Sequence, residues 1–105
     1  TSLRVPIPDG SITDFVAVVG RDVTVDEVNA AFEAAATDGP MSKVLDYSTE
    51  PLVSSDIVGT AASCTFDSGL TMTQGSLVKV LGWYDNEWGY SNRLVDLAAI
   101  VGAAG

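Results

Sequence analysis

The spacing of apolar residues changes several times along this chain, and each change marks an element. Leu3, Val5 and Ile7 alternate with Arg4 and Pro6, which predicts a short strand over Leu3–Ile7, kept to an edge or a strand end by its proline. Pro8-Asp9-Gly10 is turn chemistry. Ile12–Val19 reads as a second strand, with Phe15, Ala17 and Val19 on one face and Val16 and Val18 on the other. Apolar residues on both faces predict that its end is well buried. From Val23 to Asp38 the period becomes helical: Val25, Val28, Phe32 and Ala35 or Ala36 make the apolar stripe, and Asp26, Asn29, Glu33 and Thr37 a solvated face. Thr24 is the expected N-cap, Glu27 completes a capping box, Val23 can staple onto Val28, and Gly39-Pro40 ends the helix.

Lys43–Tyr47 predicts a short strand, and Ser48–Ala62 a long connection with one helical turn at Ser54–Val58. Ser63–Phe66 and Leu70–Thr73 read as strands, with Asp67-Ser68-Gly69 either a turn between them or a bulge within one longer strand. Gln74-Gly75 then turns a hairpin into Leu77–Tyr84. Asp85 is the expected N-cap of a last helix, which frays at Gly102–Gly105. The order is β-β-α-β-β-β-β-α. Hairpin strands outnumber helices, so the predicted fold class is α+β, a largely antiparallel sheet with helices on one face, forming one domain over residues 1–105.

Composition narrows the function classes. With 47% hydrophobic and 18% charged residues, the chain can hold a core and fits neither disorder nor a coiled coil. Its net charge is −9 and its basic residues, Arg4, Arg21, Lys43, Lys79 and Arg93, are scattered, which predicts no nucleic-acid partner and no affinity for anionic membranes. No apolar run approaches the ~20 residues of a membrane span, and no export signal is visible, so the expectation is a soluble protein. A single cysteine, Cys64, suits a reducing compartment such as the cytoplasm. There is no histidine, which removes the commonest general base and most zinc sites, so no metal is expected.

Candidate chemistry concentrates in Trp83-Tyr84-Asp85-Asn86-Glu87-Trp88-Gly89-Tyr90-Ser91-Asn92-Arg93, at a strand-to-helix junction where free N–H groups and the helix dipole converge. Helical spacing predicts a polar stripe of Asn86, Tyr90 and Arg93. The aromatics also serve as core anchors. Asn86 is the harder residue to explain by packing, because a buried amide needs a hydrogen-bond partner, though a nearby backbone group can provide one.

This segment resembles the C-terminal signature of phosphorylating glyceraldehyde-3-phosphate dehydrogenase. Leu3-Arg4-Val5-Pro6-Ile7-Pro8, Pro51-Leu52-Val53-Ser54-Ser55-Asp56-Ile57-Val58 and Phe66-Asp67-Ser68-Gly69-Leu70-Thr71 resemble the same family in the same order. The match covers nearly the whole chain but only about the last third of the family. The resemblance implies a mixed, largely antiparallel catalytic domain whose C-terminal helix packs on a cofactor domain absent here, leaving Leu94, Val95, Leu97, Ala98, Ile100 and Val101 partly orphaned. It implies that Arg4 binds substrate phosphate or inorganic phosphate, a task suited to a guanidinium fork. It also implies that Asn86 hydrogen-bonds the nicotinamide carboxamide of NAD, with NADP not excluded, and that Tyr90 lies beside the ring.

The parent reaction implied is oxidation of glyceraldehyde 3-phosphate: a cysteine attacks the aldehyde, hydride passes to NAD, and phosphate releases 1,3-bisphosphoglycerate. The family's Ser-Cys-Thr-Thr-Asn-Cys nucleophile segment and its histidine are missing, as is a Gly-x-Gly-x-x-Gly loop, so no catalytic residue is assigned and the chain alone is expected to be inactive. Cys64 reads as a packing residue, since no cation near it in sequence would lower its pKa. The parent is expected to be a homotetramer. The alternative is a free-standing α+β binding or assembly module, in which Arg4, Asn86 and Tyr90 are dispensable.

Overall fold

The computed structural model describes all of Thr1–Gly105. Its elements run β1 (Ser11–Val18), α1 (Val25–Thr37), β2 (Leu45–Ser48), α2 (Ser54–Ile57), β3 (Cys64–Asp67), a 3-10 turn (Ser68–Leu70), β4 (Met72–Gln74), β5 (Leu77–Tyr84) and α3 (Trp88–Ala104). The sheet order is β1-β5-β3-β2, with β4 also paired to β5. All pairings are antiparallel except β2 with β3, so the chain is α+β with a largely antiparallel sheet.

β5 is the axis. It pairs along its whole length with β1 on one side, and on the other with β4 near its start and β3 near its end. The register slips by three residues between β3 and β4, the length of the 3-10 turn that separates them, so they act as one interrupted strand. The β4–β5 hairpin turns through Gly75-Ser76; Gly75 has φ +60°, a conformation glycine adopts without the steric cost met by a side chain.

Register places Phe15, Ala17, Val78, Val80 and Phe66 on one face of the sheet. α1 covers part of this face, over Phe66, and leaves Phe15 exposed. Its Phe32 ring stacks on Phe66 with centroids 4.0 Å apart and an interplanar angle of 8°, and Tyr47 adds a second stacked contact at 5.7 Å. Phe66 is 2% exposed and, with Ile57, forms the tightest part of the core. The capping box at Thr24 is present: Glu27 N–H donates to Thr24 Oγ1 at 3.2 Å and Thr24 N–H to Glu27 Oε2 at 2.9 Å. The other sheet face stays open, with Ile12, Val16, Val18, Leu77 and Met72 all exposed around a Lys79–Asp14 ion pair at 2.8 Å.

Several expectations fail, each for a physical reason. Leu3–Ile7 forms no strand, and Leu3 is 87% exposed. Pro6 and Pro8 lack the N–H groups that a pairing strand donates, and the segment's one backbone bond is local, Ile7 N–H to Val5 O at 2.8 Å. The end of β1 is not buried, with Val18 75% exposed, because β1 is an edge strand with nothing stacked on its outer face. Asn29 is not simply solvated: its Nδ2 donates to Ser68 O at 3.1 Å and its Oδ1 accepts from Thr71 Oγ1 at 2.6 Å, tying α1 to the 3-10 turn. The exposure expected for the apolar residues of α3 is, by contrast, observed at Leu94, Val95, Leu97, Ile100 and Val101. No helix is long and apolar enough to cross a membrane.

Candidate functional site

Four segments meet at the C-terminal end of β5: the turn before β1, the residues after α2, the approach to β3, and the start of α3. Asp85 ties two of them, the residues after α2 and the start of α3. Its Oδ1 accepts from Glu87 N–H at 2.9 Å and Trp88 N–H at 2.8 Å, and its Oδ2 accepts from Gly59 N–H at 2.9 Å. The residue is only 3% exposed. Donors from Trp88, Gly59 and Glu87 hold its pKa down to about 2, because each N–H favours the ionised carboxylate. Asp9 stands beside it with its pKa raised, first by burial and then by its hydrogen bond to Asp85. Gly89 lets α3 approach β3, since a Cβ there would lie 2.8 Å from the Ala62 carbonyl oxygen.

Asp85 is not the N-cap that the sequence predicted: α3 begins three residues later, at Trp88, with Glu87 at its N-cap, and Asp85 closes the turn that leads into it. Asn86 consequently lies in the junction turn and not on the helix, so the predicted stripe of Asn86, Tyr90 and Arg93 does not form. A short carboxylate that captures the N–H groups of two successive residues closes a turn before the helix starts. Arg93 points elsewhere, donating from Nε to Asp96 at 2.8 Å and from Nη1 to Ser63 Oγ at 3.1 Å.

Asn86 is anchored through its oxygen. Gly10 N–H donates to Asn86 Oδ1 at 3.0 Å, and Ser11 Oγ donates to it at 3.4 Å. Asn86 Nδ2 has no partner within the chain and the residue is exposed, so two donors face outward. Tyr90 is 68% exposed, with its ring free to meet another surface. Arg4 is also exposed and makes no ion pair, in a segment that leads into the Asp9-Gly10 turn. The two principal cavities, of about 530 and 480 Å³, lie along β2 and between α1 and the sheet, and none of the three residues lines either one.

The sequence pointed to Asp85 and Asn86 but not to their partners Gly59, Gly10 and Ser11. Asp9-Gly10 was legible as turn chemistry, yet no local pattern could show which side chain its N–H would meet. Cys64 sits half-buried with its Sγ against Gly82, where an added Cβ would collide with it. Burial pushes its thiol pKa up, the opposite of what a nucleophile needs. No group of three or more His, Cys, Asp or Glu side chains gathers in a form suited to a metal.

Residues 1–86 match the family described as glyceraldehyde 3-phosphate dehydrogenase, C-terminal domain. The chain belongs to this family. It is 63% identical over 102 residues to glyceraldehyde-3-phosphate dehydrogenase of Streptomyces coelicolor, covering 96% of this chain and 30% of that protein. It is 55% identical over 102 residues to the enzyme of the same name from Kitasatospora aureofaciens, and 55% identical over 101 residues to that of Mycobacterium avium. The chain thus spans 30% of the length of these relatives. Apolar side chains of α3 and of one sheet face are exposed, Leu97, Ile100, Val16 and Val18 among them.

Proposed function

We propose that Thr1–Gly105 serves as the C-terminal part of the catalytic domain of a cytoplasmic, homotetrameric glycolytic dehydrogenase. That enzyme converts glyceraldehyde 3-phosphate, phosphate and NAD to 1,3-bisphosphoglycerate and NADH. Arg4 binds a phosphate group, Asn86 holds the nicotinamide carboxamide, and Tyr90 lies beside the ring. The observation that carries the reading is the anchoring of Asn86. With Oδ1 engaged by Gly10 and Ser11, the amide offers Nδ2–H donors to a carbonyl oxygen outside the chain, and a carboxamide supplies one.

NAD, when bound, supplies the hydride acceptor; this chain's residues supply recognition. Asn86 orients the ring by its carboxamide, and the exposed Tyr90 ring limits where the ring can move. Arg4 is always cationic and can meet phosphate oxygens in a bidentate way. Neither a thiolate nucleophile nor a histidine base comes from this chain, so it does not turn over alone.

The test grafts Thr1–Gly105 in place of the matching 102 residues of the Streptomyces coelicolor enzyme. We expect an NAD-dependent, phosphate-dependent chimaera, with Arg4→Ala raising the KM for phosphate or substrate by about 10- to 100-fold, the weight of charge-assisted hydrogen bonds. A folded, tetrameric chimaera without activity would refute the reading and favour a free-standing binding or assembly module. Sustained NAD reduction by the purified 105-residue chain, proportional to its concentration, would refute its inactivity alone.

A further inference from the structure

Asn86 is held from two sides by residues that do not themselves face outward. On the backbone side, Asp85 is buried and its one carboxylate receives the N–H groups of Gly59, Glu87 and Trp88, which sets the turn that carries the Asn86 Cα. On the side-chain side, Gly10 N–H, shared between Asp9 Oδ1 at 2.8 Å and Asn86 Oδ1 at 3.0 Å, selects the oxygen end of the amide, because only an acceptor can face that N–H. Gly10 can aim it there for two reasons. Its φ is +102°, and a Cβ at this position would lie 3.1 Å from the Ser54 carbonyl oxygen and 3.3 Å from Ser54 Cβ. A side chain at position 10 must therefore move either the turn or α2, and the N–H moves with the turn.

We infer that Gly10 and Asp85 are positioning residues for Asn86: Gly10 sets the flip of its amide and Asp85 the place of its backbone. This rests on the reading that Asn86 holds the nicotinamide carboxamide. With the Gly10 N–H displaced, the amide turns over at the loss of about one neutral hydrogen bond and presents oxygen where it presented Nδ2. The carboxamide then turns with it, and the ring face that meets the substrate is no longer uniquely chosen. Asp85→Asn acts differently. Its Oδ1 still accepts from Glu87 and Trp88, but an amide NH₂ in the place of Oδ2 opposes Gly59 N–H, so the loop after α2 separates from the junction.

The test uses the same chimaera, with Gly10→Ala, Asp85→Asn, Ser11→Ala and Asn86→Ala compared by three measurements. Crystal structures read the position of Asn86, aldehyde-deuterated substrate reads which face of NAD receives the label, and melting reads general damage. We expect Gly10→Ala and Asp85→Asn to displace or flip Asn86 and to raise the wrong-face label about tenfold, as one lost hydrogen bond dictates. Ser11→Ala, losing a longer bond, should change the label less. A lowered melting temperature with the label still confined to one face in both variants, while Asn86→Ala scrambles it, would overturn the inference and leave the nicotinamide reading standing. A displaced Asn86 with no change of face even in Asn86→Ala would support the positioning and overturn the nicotinamide reading instead.

Discussion

Gly89→Ala tests how closely α3 is seated on the rest of the domain. The added Cβ would stand 2.8 Å from the Ala62 carbonyl oxygen, and ordinary contact begins near 3.4 Å, so the helix start or the Ala62 peptide must retreat by about 0.6 Å. Neither side yields easily. Ala62 is buried, and the helix start is tied to Asp85 through Trp88 N–H at 2.8 Å. Overpacking of this kind costs about 1–3 kcal/mol. Alanine recovers up to ~1 kcal/mol over glycine within a helix, less in a first turn where backbone freedom is greater. The steric term wins, and a net loss of about 1–2 kcal/mol remains.

For a domain of this size that loss lowers Tm by roughly 4–16 °C in a thermal melt followed by far-UV circular dichroism. Gly102→Ala is the control. Nothing lies within 4 Å of a Cβ there, so it reports propensity alone and should raise stability by up to about 0.5 kcal/mol. A Gly89→Ala protein that melts at or above the parent temperature would refute the argument from close approach.

Phe66→Ala should cost about 3–5 kcal/mol in urea denaturation, because it empties the most enclosed aromatic position and ends both ring stacks. A chain of this length has only about 5–15 kcal/mol in total, so a loss below about 1 kcal/mol would contradict the assignment of the core. The carboxyl pair predicts opposite pH dependences. Asp85, depressed to about 2, stabilises the fold fully above its ordinary 3.8 and loses that contribution as pH falls toward 2. Asp9 is raised, so its contribution is present below 3.8 and lost as pH rises through its folded value, and Asp9→Asn should be neutral or stabilising at pH 7. Acid titration of stability in Asp9→Asn and Asp85→Asn proteins checks both signs. Iodoacetamide should label Cys64 slowly at pH 8 in the folded chain and quickly in urea, since burial raises its pKa; equal rates in both would contradict that.

The elements that sequence and structure share are those whose information is local. Thr24 and Glu27 meet within one turn of helix, Gly75 needs only its own φ, and the apolar run of Leu77–Tyr84 is contiguous. Family membership was legible for a related reason: the residues from Trp83 to Arg93 are contiguous, and their order is specific. What depended on distant parts of the chain was not legible. Leu3–Ile7 alternates as a strand does, yet no strand of the sheet pairs with it. Asn29 looked solvated because its partners, Ser68 and Thr71, lie about forty residues away. The start of α3 and the place of Asn86 were set by tertiary contact, through an Asp85 carboxylate shared with Gly59 and a Gly10 N–H from 76 residues upstream. The sequence by itself determined the residue types able to bind phosphate and a carboxamide. Only the fold decided which way the Asn86 amide faces, because the partner of a hydrogen bond is chosen by proximity in space and not by spacing in the chain.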